Sequence, residues 1–212
     1  MHRARAAFTL VEMLTVVVII GLLAALIFPS LTAARASASR ATTKVRFNQW
    51  AAAIEAFRTE YGYYPKFAPG AHVNDGAAAG LGGDHLFHDL LAARHRDGSP
   101  LTPSAQPSTA AGQNPQLVSF YSFTEAEFNA AGLLQDGFGD TEIAVLVDAD
   151  LDGLIKPGAD FSSLPSVHAA DGAAIAPTTA DFPETGLRAG VIFYAPDPRA
   201  TANNPVFIFS WK

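Results

Sequence analysis

The 212-residue sequence contains no cysteine, which excludes disulfide frameworks, thiolate zinc sites and cysteine nucleophiles. Charge is also scarce. Asp, Glu, Lys and Arg make up 16% of the chain, against about 25% in ordinary soluble domains. That deficit excludes a charge-rich disordered chain and points to a part of the molecule that is not in water. A basic excess is missing as well: 14 Lys and Arg stand against 20 Asp and Glu, so no nucleic-acid partner is expected. Signatures of common catalytic sites are absent too: no G-x-S-x-G, no H-E-x-x-H, no phosphate loop and no Rossmann fingerprint. His2, His72, His85, His88, His95 and His168 show no pairing with a nucleophile. The expectation is a protein that is not an enzyme.

What is present falls into three parts. From Phe8 to Phe28 runs a 21-residue apolar stretch whose only charge is Glu12. Between Ser30 and Ile54 the strong cations are Arg35, Arg40, Lys44 and Arg46, with no acid until Glu55. From Gly62 onward, 7 Lys and Arg face 17 Asp and Glu. The apolar stretch would span about 30 Å as a helix, the thickness of a bilayer core. A removable signal peptide is the alternative, with Arg3 and Arg5 as its basic start. Against it, 21 residues exceed the usual 7–15 of such an apolar region, and no A-x-A cleavage site follows. Glu12 separates the two readings. A carboxylate in a membrane helix costs up to about 3 kcal/mol near the centre and normally has a partner, and this segment supplies no cation.

Arg5-Ala6-Ala7 followed by Phe8-Thr9-Leu10-Val11-Glu12-Met13-Leu14 resembles the cleavage and methylation signature of type IV prepilins and type II secretion pseudopilins. The resemblance covers about 30 residues and implies a leader, 1–7, removed by prepilin peptidase between Ala7 and Phe8. It further implies N-methylation of the new Phe8 amine, and pairing of Glu12 with that amine on a neighbouring subunit. Pro29 stands where the family has a helix-kinking proline. Ala7 is a departure, since the family normally has Gly before the cut. An amine set against a carboxylate in a low-dielectric bundle would give Glu12 a partner only on assembly. The charge count does not fix orientation by the positive-inside rule; the resemblance implies an inner-membrane anchor with the C-terminal part in the periplasm.

Beyond Pro29 the helical pattern continues. Phe47, Trp50, Ile54, Phe57 and Tyr61 recur at spacings of three and four, a one-faced apolar stripe. Gly62 and Pro65 should end the helix. The cations Arg35, Arg40, Lys44 and Arg46 are expected on a solvated face. Further on, a short helix near His85–Arg94, a loose surface loop over 99–115 and a strand at Leu117–Phe123 are expected. Thr124 and Glu127 form a capping box. His85, His88 and His95 read as exposed helix residues rather than metal ligands. Ile143–Val147, Arg188–Tyr194 and Pro205–Trp211 are strand candidates.

The first of these strands runs into Asp148-Ala-Asp150-Leu-Asp152-Gly153-Leu154-Ile155. Carboxylates at positions 1, 3 and 5, a glycine at 6 and an apolar residue at 8 reproduce the first two-thirds of an EF-type calcium loop. The Glu of position 12 is absent, since Ala159 stands there, and Asp160 is the substitute candidate. Leu154 would offer its carbonyl. The competing reading is an acidic turn without metal. Major pseudopilins bind calcium in their C-terminal region, and Asp136-Gly-Phe138-Gly139 resembles the turn that precedes the site in that family.

The fold expected is α+β: a long N-terminal helix, membrane-spanning in its first half and kinked at Pro29, with a small antiparallel sheet packed on its second half. Its divisions are a leader at 1–7, an assembly helix at 8–29, a helical stem at 30–64 and a globular part at 65–212. The function expected is a structural subunit of a type II secretion pseudopilus, a homopolymer with minor pseudopilins as candidate further partners. A type IV pilin for adhesion, motility or DNA uptake is the alternative, and a membrane-tethered calcium-dependent binding module is a third reading.

Overall fold

A computed structural model describes residues 9–67, 72–78 and 80–212; of residues 26–30, the helical backbone is described but not the side chains. The expected α+β combination of a long N-terminal helix and a small antiparallel sheet is present. Helix α1 runs from Leu10 to Tyr61, and three antiparallel strands form a sheet in the order β1 (Ala144–Val147), β4 (Val191–Pro196), β5 (Phe207–Phe209). Short helices α2 (Leu86–Ala92) and α3 (Ala110–Gln113) lie between α1 and the sheet in sequence. A two-stranded hairpin, β2 (Val167–His168) with β3 (Ala174–Ile175), falls between β1 and β4. The chain divides into two compact units, residues 1–39 and 40–212. The division falls inside α1, so the helix from Arg40 onward belongs to the same unit as the sheet.

In the first unit α1 exposes nearly every described side chain, with Leu10, Val11, Val17 and Leu22 all more than 60% exposed. The span expected over Phe8–Phe28 reaches past the described side chains at both ends. Among the described residues, no helix is long and apolar enough to cross a membrane. The leader, 1–7, and Phe8 lie outside the described residues. So does the side chain of Pro29, on which the expected kink depends, although the helix runs through that position.

In the second unit the helix has one buried face. Phe47, Trp50, Ile54 and Phe57 are fully buried, as their spacing requires. Phe47 stacks on Phe193 of β4 at 5.4 Å between ring centroids, and Trp50 meets Phe193 and Phe87 edge-on at 5.8 and 5.6 Å. The Trp50 indole N–H donates to Glu127 Oε1 at 2.9 Å. The helix stops at Gly62, whose φ of +79° suits glycine, with its N–H donating to Arg58 O at 2.7 Å.

Strand alternation sorts the sheet's side chains. Val145, Val191, Phe193 and Ala195 join the α1 core, while Ala144, Leu146, Ile192, Tyr194 and Phe209 form a second one. That second face is covered by Ile155, Val167, Ala169, Ile175 and Phe182. Hence β4 is buried at every position, and the sheet is sandwiched rather than laid open to water on one side.

Several local expectations change. Leu117–Phe123 is not a strand; the Phe120 and Tyr121 N–H groups both donate to Leu91 O, and their rings pack at the edge of the α1 core. The segment 99–115 is anchored, because Leu101, Ala110, Ala111, Gln113 and Asn114 are buried. Asn114 Nδ2 donates to the carbonyls of Leu90 and Val118, and Tyr61 OH donates to Asn114 Oδ1 at 2.6 Å. The capping box is present: the N–H and hydroxyl of Thr124 donate to Glu127 Oε2 at 2.7 and 2.9 Å, but over a single 3-10 turn, Glu125–Glu127.

Arg35 is exposed, as expected, but the other three cations of the basic stretch engage the chain's own body. Arg40 Nε donates to buried Asp197 at 2.7 Å, Lys44 Nζ donates to the Lys212 carbonyl, and Arg46 donates to the carbonyls of Ala126, Gln135 and Asp136. The positive segment docks the acidic part of its own chain. Electrostatics and the aromatic stripe thus fix the helix against the same body.

Candidate functional site

The N-terminal motif begins, in the described residues, at Thr9. Its N–H and hydroxyl both donate to Glu12 Oε2, at 2.9 and 2.8 Å, and Glu12 N–H donates back to Thr9 Oγ1 at 3.2 Å. This is a reciprocal capping box that satisfies donors at the first turn of α1. The lone carboxylate of the apolar stretch is therefore not unpartnered in the single chain, as the sequence reading had it. Oε1 accepts no hydrogen bond among the described residues, so one oxygen remains for a second donor. The signal was readable, because Thr9 and Glu12 have the S/T-x-x-E spacing. Three residues on, Thr15 Oγ1 donates to the Val11 carbonyl at 2.9 Å, which keeps its hydroxyl satisfied without water. Ala7 and Phe8, the expected cleavage and methylation positions, lie outside the described residues.

The acidic loop follows β1 directly. Asp148 is buried, Asp150 and Asp152 are exposed, and one carboxylate oxygen of each lies within 4.8 Å of the others. The turn is held from inside: Asp148 accepts from the N–H groups of Asp152 and Gly153 at 3.2 and 2.8 Å, and Asp152 accepts from Leu154 N–H at 2.9 Å. Leu151 (φ 63°) and Gly153 (φ 86°) both adopt left-handed backbone to close it. Ile155 anchors the far side, fully buried and bonded both ways to the Leu187 backbone at 2.8 and 2.9 Å. Lys156 Nζ donates to Asp152 and lies 3.7 Å from Asp150. That hydrogen bond pulls the Asp152 carboxyl below its ordinary range and pushes the Lys156 ammonium up.

Asp160 does not join the cluster. Its two oxygens accept from Ala149 N–H at 2.7 Å and Lys156 N–H at 2.8 Å, so it ties the two ends of the loop together. The donor set of three carboxylates has the hard-oxygen chemistry that suits calcium. An ammonium already shares two of those carboxylates, so a cation binding there must displace Lys156.

Ahead of β1, the Asp136-Gly-Phe138-Gly139 turn is fastened to α1. Asp136 Oδ1 accepts from the N–H groups of Phe138 and Asp140, and Thr43 Oγ1 donates to Asp136 Oδ2 at 3.2 Å. Arg40 lies over the Phe138 ring at 5.8 Å. Burial, partly offset by these hydrogen bonds, pushes the Asp136 carboxyl above its ordinary range. The three histidines expected to be exposed are instead inward: His85 and His88 are buried and His95 is mostly covered. Burial pulls the His85 imidazole down to about 3. It is neutral, with Nδ1 accepting from His88 N–H and Nε2 donating to Asn74 Oδ1 at 3.0 Å.

No curated protein and no solved structure matches the chain. A family model, the prokaryotic N-terminal methylation motif, matches residues 2–28. By that motif the N-terminal segment of this chain is type IV pilin-like, carrying the signature shared by type IV pilins and pseudopilins.

Proposed function

We propose that this protein is a structural subunit of a type II secretion pseudopilus. Prepilin peptidase removes residues 1–7, Phe8 is N-methylated, and the chain polymerises through the first half of α1. The observation that carries this reading is the pairing of a matched methylation motif with a helix that has no dry face of its own. The large apolar side chains from Leu10 to Leu23 are exposed all round, and each would gain about 1.5–3 kcal/mol on full burial. Lipid can cover them in the single subunit and neighbouring helices in the filament. The free Glu12 oxygen accepts the Phe8 amine of the next subunit, adding a charge-assisted bond that only assembly supplies. Without cysteine, the Asp148–Asp152 turn takes the place of a disulfide in pinning the end of the chain, and this favours the pseudopilus over a type IV pilin.

Calcium is part of the same proposal, held by Asp148, Asp150, Asp152 and the Leu154 carbonyl. It would bind at the weak end of the range, on the order of 10⁻⁴ to 10⁻³ M, because the bidentate position-12 ligand is missing. Full-length protein in detergent should then unfold at higher temperature in millimolar calcium than in chelator, and Asp150→Asn/Asp152→Asn should abolish the rise. Identical unfolding of wild type in the two conditions removes calcium from the proposal.

The assembly claim is tested with Glu12→Val. Membrane insertion and leader cleavage should persist, while the yield of sheared filaments falls at least about tenfold, equivalent to about 1.4 kcal/mol per subunit contact. Normal filament yield from that variant contradicts the pairing.

A further inference from the structure

A second group of ionisable side chains, unconnected with the Asp148–Asp152 loop, brackets α2. Asp89 buries its carboxylate, leaving 3% of the side chain exposed. Its Oδ1 accepts from His88 Nδ1 at 2.9 Å, and its Oδ2 accepts from His95 Nδ1 at 2.9 Å and from His85 N–H at 3.2 Å. Asp84 Oδ1 lies 4.0 Å from the same His95 nitrogen. One oxygen from each aspartate and that nitrogen all fall within 4.8 Å of one another. All three residues line one cavity of about 590 Å³, whose wall continues through Thr102 and Ser104. The Arg96 guanidinium makes its hydrogen bonds to the carbonyls of Ala78, Gly83 and Gly132 and reaches Asp89 only through space.

The geometry points to a binding site for a divalent transition-metal cation of the zinc class, ligated by Asp84, Asp89 and His95. Oxygen and nitrogen ligands at about 2.0–2.1 Å in a tetrahedral centre stand roughly 3.3 Å apart. The observed separations of 2.9 and 4.0 Å straddle that value, so shifts of about half an ångström bring the three atoms onto one ion. The fourth position opens to the cavity. His88 Nδ1–H on the other oxygen of Asp89 is the outer partner that orients a ligating carboxylate. An imidazole in the set selects a zinc-class ion over calcium, which takes oxygen ligands. On binding, the His95 imidazole stays neutral: its proton moves from Nδ1 to Nε2 through solvent, and the freed Nδ1 lone pair goes to the metal. Asp84 precedes α2 and His95 follows it, so the ion would clasp the two ends of that helix. The site does not depend on the filament reading.

The test uses the full-length chain in detergent, stripped with chelator and titrated with zinc chloride alone by calorimetry. The expected result is one zinc per chain. Affinity should fall at least about tenfold in Asp84→Asn and in His95→Gln, stay unchanged in Asp150→Asn/Asp152→Asn, and not be matched by calcium. The Asp84 side chain is 91% exposed, so its variant keeps the fold, and thermal unfolding verifies this. No zinc binding, equal affinity in all variants, or loss only in the Asp150/Asp152 variant each overturns the assignment.

Discussion

The two halves of α1 share one helix and almost nothing else. From Leu10 to Leu23 the side chains are apolar on every face and exposed on every face. From Arg40 to Tyr61 the large apolar residues Phe47, Trp50, Ile54 and Phe57 keep to one stripe, which is buried against Phe87, Phe193 and their neighbours. Helix propensity does not distinguish the halves; what each buries does. A striped helix folds with its own chain, whereas a helix apolar all round needs a solvent or partner that is not water. The docking of Arg40, Lys44 and Arg46 sharpens the boundary, because the cations begin to engage the body where the second unit starts.

Substitutions that break this contrast should act on one half only. The largest effect is expected from Trp50→Ala, which removes a fully buried ring and leaves Glu127 without its indole donor. It should cost about 3–5 kcal/mol of stability in the second unit, read by urea unfolding followed in fluorescence at Trp211. Ile19→Ala, at a position 57% exposed, should change that unfolding by less than about 0.5 kcal/mol while weakening filaments. Equal destabilisation by both would show that the halves are one cooperative core.

Next in size is the Arg40–Asp197 contact. Burial pushes the Asp197 carboxyl up, but hydrogen bonds from Arg40 and Arg199 overcome it and hold it well below its ordinary 3.8. A depressed carboxyl contributes stability above its unfolded value and loses it as pH falls. Wild type should therefore lose stability progressively below pH 3.8. Arg40→Gln should lower stability at pH 7 by about 1.5–3 kcal/mol and flatten the acid-side slope. An unchanged slope would remove Arg40 from the docking account.

The smallest effect is expected at the start of α1. Thr9→Val removes the hydroxyl that bridges the capping box and should cost about 1 kcal/mol of local helix stability. Amide exchange over residues 10–14 should speed up while exchange in β4 stays as it was.

Much of this was legible in the sequence where the cause is local. The end of α1 at Gly62, the buried stripe and the capping box at Thr124 and Glu127 rest on spacings of four residues or fewer, and so does strand β1. The acidic cluster was legible for the same reason, down to the left-handed Gly153. What escaped depends on partners far along the chain. Asp136 finds Thr43 across 93 residues and Arg40 finds Asp197 across 157, so Arg40 looked as solvated as Arg35 is. Asp160 looked like a ligand because it follows the loop at nearly the right distance, yet its oxygens are taken by two backbone N–H groups. His85, His88 and His95 looked exposed because a short helix shows no periodicity strong enough to say which face turns inward. The covering of the second sheet face by residues 155–187 had no repeating pattern to announce it.

The central claim is that the first half of α1 becomes an assembly element when a new amine is exposed four residues before Glu12. Intact mass and N-terminal peptide sequencing of protein extracted from membranes of a host with prepilin peptidase test it most directly. The predicted species begins at Phe8, carries one N-methyl group and lacks residues 1–7. A mature chain that still begins at Met1, or one cut near Ala25, would contradict it.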